Sequence, residues 1–147
     1  MKEEHVTKAI LNWLQGNGWE IICFDFPQSG TGRLLHPNGS LDKNKGSINP
    51  DIVSVRNGVC LFFENKDRFY LPDYEKIHGL IVNNVYTDAI AQLLKGFTIR
   101  EYYYGIGLPS GKHGKGSRSA SGLVDFIVGV SENREISVLH NPKQIQF

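Results

Sequence analysis

The sequence predicts an α/β fold, one domain in which a single β-sheet is flanked by helices. Three observations predict it. An amphipathic helical pattern opens the chain, β-branched and aromatic segments punctuated by turn signals follow, and helical patterns return before the last strand-like segments. A length of 147 residues suits one domain with its own core.

In residues 3–15, Val6, Ala9, Ile10, Trp13 and Leu14 recur at helical spacing, and Gly16-Asn17-Gly18 supplies the stop. Residues 19–26 read as a strand ended by Pro27. Residues 28–47, rich in Gly, Ser, Asn and basic groups, have no period and read as a long loop of the kind that tends to be either functional or disordered. Asn57-Gly58 is the strongest short signal for a two-residue hairpin, because both positions need positive φ. Strand-forming residues 52–55 and 59–63 flank it. Helices are expected over 74–82, introduced by Pro72-Asp73, and over 86–94. Strands are expected over 98–108, 124–130 and 136–139, with residues 109–122 as either a mobile loop that orders on DNA or a solvated linker between two strands.

Composition narrows the function classes. The 40% apolar share, with eight Phe, six Tyr and two Trp, belongs to a globular chain. No apolar run approaches the ~20 residues of a membrane span. The opening MKEEHVTK lacks the apolar core of a signal peptide. Cys23 and Cys60 lie in apolar strand-like runs without metal spacing, as reduced packing residues of a cytoplasmic protein do. The five histidines show no zinc spacing. Gly105-Ile106-Gly107 lacks the third glycine of a dinucleotide fingerprint, and no phosphate-binding loop motif is present. A net charge of +1 decides little, since the distribution of charge matters more to nucleic-acid binding than its sum.

The chemistry gathers on the hairpin. With Asn57-Gly58 as the turn, Arg56 faces Val59 and Asp51 falls opposite Glu64, with facing Cβ atoms about 4.5–5.5 Å apart. Strand periodicity puts Lys66 on the same face as Glu64. Two facing carboxylates destabilise a sheet. A divalent cation reverses that interaction, and oxygen ligands suit Mg²⁺; a solvated strand end balanced by Lys66 explains the same residues.

Pro50-Asp51, twelve intervening residues and then Glu64-Asn65-Lys66 resemble the signature of the PD-(D/E)XK nuclease superfamily, which has a restriction-endonuclease-like core. The resemblance covers roughly residues 1–70. It implies a central mixed sheet flanked by helices, with the motif on a β-hairpin. It further implies Mg²⁺, with Mn²⁺ as a substitute, held by Asp51, Glu64 and the backbone carbonyl of Asn65, and Lys66 positioning the attacking water. Members often carry a helical glutamate that reaches the metal. Glu3 lies about 60° from Val6 on the apolar side, whereas Glu4 lies about 160° away, so Glu3 suits that role. Both acids also suit the positive end of a helix.

The implied activity is that of a DNA endonuclease, foremost a type II restriction enzyme, acting on a palindromic target as a homodimer. The alternatives are a structure-specific nuclease similar to Holliday-junction resolvases and a non-catalytic DNA-binding module of the same fold. Lys112, Lys115 and Arg118, in an acid-free Gly/Ser segment, and Arg33 in the earlier loop are candidates for phosphate contacts. Gln28 and Ser29 are candidate DNA contacts by the same resemblance. Asp125 has no Glu-x-Lys after it and reads as a supporting residue.

Overall fold

The computed structural model describes residues 1–25, 35–39 and 48–147. The expected single-domain α/β architecture is observed. Six strands form one mixed sheet in chain order: β1 (Glu20–Phe24), β2 (Ile52–Arg56), β3 (Val59–Asn65), β4 (Glu101–Pro109), β5 (Phe126–Val130) and β6 (Ile136–His140). β1, β2 and β3 are antiparallel neighbours, β4 and β5 continue parallel to β3, and β6 returns antiparallel.

The hairpin follows the register expected from its turn. Asn57 and Gly58 both have positive φ, 50° and 79°, and Arg56 pairs with Val59, Val55 with Cys60 and Ile52 with Phe63. Alternation along β3 then divides its side chains between two cores. Leu61 and Phe63 face helix α1 (Glu3–Gly16) with Val6, Ile10 and Leu14. Cys60 and Phe62 face the opposite side, under helix α3 (Thr87–Leu93). Helix α2 (Leu71–Asn83) covers Ile106, Leu108 and Ile127 on that second side through Tyr74 and Ile77.

Both cysteines are free and buried, as packing residues are. Gly107 has a packing role rather than a ligand-binding one. A Cβ there would collide with Ile10 of α1 and the Asn65 side chain, so the glycine lets the helix settle onto β4. Among the described residues no helix is long and apolar enough to cross a membrane.

The segment 109–122 departs from expectation. It is a 3-10 turn (Ser110–Lys112), a short helix α4 (Lys115–Ala120) and a second 3-10 turn (Ser121–Leu123) rather than irregular loop. Gly and Ser are weak helix formers, but tertiary contacts override that preference. Ser117 is fully buried and bonds both the Tyr74 hydroxyl (2.6 Å) and His113 Nδ1 (2.8 Å), and Gly116 admits the Phe69 ring. Helix α2 also begins earlier than its periodicity suggests, with Pro72 inside its first turn where the missing N–H costs nothing.

Candidate metal and nucleic-acid site

Asp51 and Glu64 come together at the open end of the β2–β3 hairpin, only 7% and 8% exposed. The ladder ends one step earlier, at Ile52–Phe63. At Asp51 the chain bends, its N–H bonds the Phe63 carbonyl (3.0 Å), and its carboxylate accepts from the Asn65 N–H (2.6 Å). The carboxylate thereby takes the place of a ladder carbonyl and is fixed beside Glu64. The Asn65 side chain points the other way and donates to Thr7 of α1 (3.1 Å). That bond ties the start of α1, and with it Glu3, to the end of β3.

Lys66 follows, its N–H held by the Gly107 carbonyl (2.9 Å), and its ammonium stands 4.0 Å from Asp73 of α2. A second lysine from α2, Lys76, ion-pairs with Glu64 at 3.3 Å. Burial and the facing Glu64 push the Asp51 carboxyl up to about 8, against the pull of the Asn65 N–H. Glu64 is also raised, by burial first, with Lys76 opposing. Two carboxylates this close in a desolvated pocket titrate as a unit that retains a proton near neutral pH. Burial lowers Lys66, but Asp73, Glu3, Glu64 and Asp51 more than reverse that, so its ammonium stays charged. Burial also raises Glu3, which Lys66 opposes.

Of the residues singled out from sequence, Glu3, Asp51, Glu64, Asn65 and Lys66 therefore share one end of the sheet. Gln28, Ser29 and Arg33 lie outside the described residues. Lys112, Lys115 and Arg118 are exposed, and α4 is anchored through Ser117 to Tyr74, the neighbour of Asp73. The basic segment is thus docked on α2, the helix that also carries Asp73 and Lys76. Asp125 is a support: one oxygen accepts from the Tyr104 N–H (2.9 Å) and the other pairs with Lys143 (2.7 Å).

Asp73 and Lys76 escaped the sequence reading. The available signal was helical phase: Asp73 precedes Ile77, and Lys76 precedes Leu80, by one turn, which puts charge beside the apolar stripe.

The donor set fits a hard divalent cation, because the buried Asp51 and Glu64 carboxyl groups supply hard oxygens that a cation would deprotonate, and no soft ligand joins them among the described residues. Among the described residues no three His, Cys, Asp or Glu side chains are gathered as a metal-holding group. Mg²⁺ is compatible with this, since it is commonly bound through one or two carboxylates and keeps several waters. No protein-family model, curated protein or solved structure matches this chain.

Proposed function

We propose that this protein is a Mg²⁺-dependent endonuclease of the type II restriction kind, hydrolysing DNA phosphodiester bonds in the cytoplasm, with Mn²⁺ able to replace Mg²⁺. The observation that carries the reading is the buried Asp51–Glu64 pair with Lys66 beside it, on the hairpin where the PD-(D/E)XK resemblance expects it.

Asp51 and Glu64 would hold the cation through their carboxylate oxygens, with the Asn65 carbonyl as a further donor. When bound, the cation polarises a phosphoryl oxygen and makes a bound water more acidic. Lys66, kept protonated by the acids around it, acts as a hydrogen-bond donor rather than a base. It orients the attacking water and offsets charge on the pentavalent transition state. Glu3, whose charge is felt by Lys66 and Asp51, would add negative charge at the rim and would accept hydrogen bonds from water in the site. Lys112, Lys115 and Arg118, with Gln28, Ser29 and Arg33, supply the contacts to DNA, and a palindromic target calls for a two-fold homodimer.

One observation favours a second reading. Lys76 already neutralises Glu64, as suits a non-catalytic DNA-binding module of the same fold. Incubation with plasmid, phage DNA and a four-way junction, with and without Mg²⁺, separates the readings. Defined ends on duplex DNA support restriction-type cleavage. Cutting confined to the junction supports a resolvase-like enzyme, and binding without any Mg²⁺-dependent cut supports the module.

A further inference from the structure

At the turn end of the hairpin lies a cavity of about 440 Å³ that the proposed nuclease chemistry does not use. Val59, on its wall, is five residues along β3 from Glu64, which separates the two sites by about 17 Å at the rise of a strand. The volume falls within the ~300–1,000 Å³ of small-molecule sites.

The wall is rich in donors and in positive charge. Arg56 bonds the carbonyls of Asn17 and Gln146, and Arg100 bonds the carbonyl of Asn57. Among the described residues neither guanidinium has an ion-pair partner. Each guanidinium offers five N–H groups, so both keep donors to spare. Lys143 also lines the cavity, its charge answered by Asp125 outside the lining. Trp19, 4% exposed, forms another wall, and its indole N–H has no acceptor among the described residues. Its ring packs under Arg56 at 4.4 Å. The carboxylate of Glu101 is bound to the Tyr103 hydroxyl (2.9 Å), and the Tyr103 ring supplies an aromatic surface.

We infer that this cavity is a second binding site, for a phosphomonoester of nucleotide size. The phosphate takes up the unpaired charge of Arg56 and Arg100 in the bidentate manner guanidinium favours, and a planar base lies against Tyr103. Inorganic phosphate alone leaves the aromatic wall uncovered, and a neutral nucleoside leaves the two cations uncompensated.

The test is calorimetric titration of the full chain in chelator, which removes any metal-dependent binding at Asp51 and Glu64. The ligands are AMP, inorganic phosphate, adenosine and a 5′-phosphorylated tetranucleotide. AMP is expected to bind at least tenfold more tightly than phosphate or adenosine, and Arg100→Gln to weaken AMP at least tenfold. Arg100→Lys, which keeps the charge and one hydrogen bond, is expected to recover part of that loss. Thermal melts of both variants show that they remain folded. Tighter binding of the tetranucleotide than AMP identifies the end of a strand as the source of the phosphate, and the reverse identifies a free nucleotide; either supports the site. Equal affinity of AMP and phosphate, no saturable binding by any ligand, or a folded Arg100→Gln that binds AMP as wild type does, overturns it. None of these outcomes depends on DNA cleavage.

Discussion

Replacing Asp51 with Asn keeps the size of the side chain and the oxygen that accepts from the Asn65 N–H, but removes one of the two facing charges. The carboxyl is raised from 3.8 to about 8 in the folded protein, chiefly by burial and then by Glu64. Because the folded value lies above the unfolded one, the associated stability is complete below about pH 4 and is lost as pH rises towards 8. At about 1.36 kcal/mol per unit, the ceiling on the loss by pH 7 is about 4 kcal/mol. Glu64 shares the proton and Lys76 screens the pair, so about half that, ~2 kcal/mol, is the expected penalty. For a chain of this length it corresponds to roughly 6 °C in Tm. In chelator at pH 7, Asp51→Asn is therefore expected to melt about 6 °C above wild type, and the gap is expected to close near pH 4. Adding Mg²⁺ is expected to raise the wild-type Tm by mass action and to raise that of the variant far less. Thermal melts across pH, with chelator or Mg²⁺, measure both effects. A variant that is less stable than wild type at pH 7 in chelator and keeps the full Mg²⁺ response would show that Asp51 neither repels Glu64 nor helps to bind the ion.

Three further outcomes are expected. Replacing Lys112, Lys115 and Arg118 together with Ala should weaken DNA binding and flatten its salt dependence by roughly one unit of slope per lost phosphate contact; a salt series that superimposes on wild type would assign these residues to the surface alone. Gly107→Ala should cost about 1–3 kcal/mol in urea denaturation, because the added methyl forces the buried side-chain ends of Ile10 and Asn65 to shift. Ser117→Ala should cost about 1–3 kcal/mol by leaving the Tyr74 hydroxyl unpartnered, and should lower DNA affinity if α4 must be held in place for binding.

The parts of the site legible in sequence are those set by local chemistry. Asn57 and Gly58 can both adopt positive φ, and once they form the turn the hairpin has one register. That register carries Asp51, Glu64 and Lys66 to one end of one face. The helical phase of residues 3–15 likewise put Glu3 on the side facing the sheet. The bend at Asp51 was not legible, because it depends on a carboxylate replacing a ladder carbonyl. Lys76 reaches Glu64 only because α2 folds back across β4, a long-range placement that no local pattern specifies. The helix in 115–120 was hidden for the opposite reason: its Gly and Ser residues argue against a helix, and its stability comes from Ser117 and Gly116 docking on Tyr74 and Phe69.

In the proposed function, Asp51, Glu64 and Lys66 form a hydrolytic site on DNA. The most direct measurement is single-turnover cleavage of end-labelled duplex DNA by wild type and by Glu64→Gln in Mg²⁺, with binding of the same DNA measured separately in Ca²⁺. Mg²⁺-dependent cutting by wild type and a loss of at least 10²-fold in Glu64→Gln are expected, with DNA affinity within about threefold of wild type. Cleavage by Glu64→Gln at the wild-type rate, or DNA binding by wild type with no cleavage in either Mg²⁺ or Mn²⁺, would contradict it.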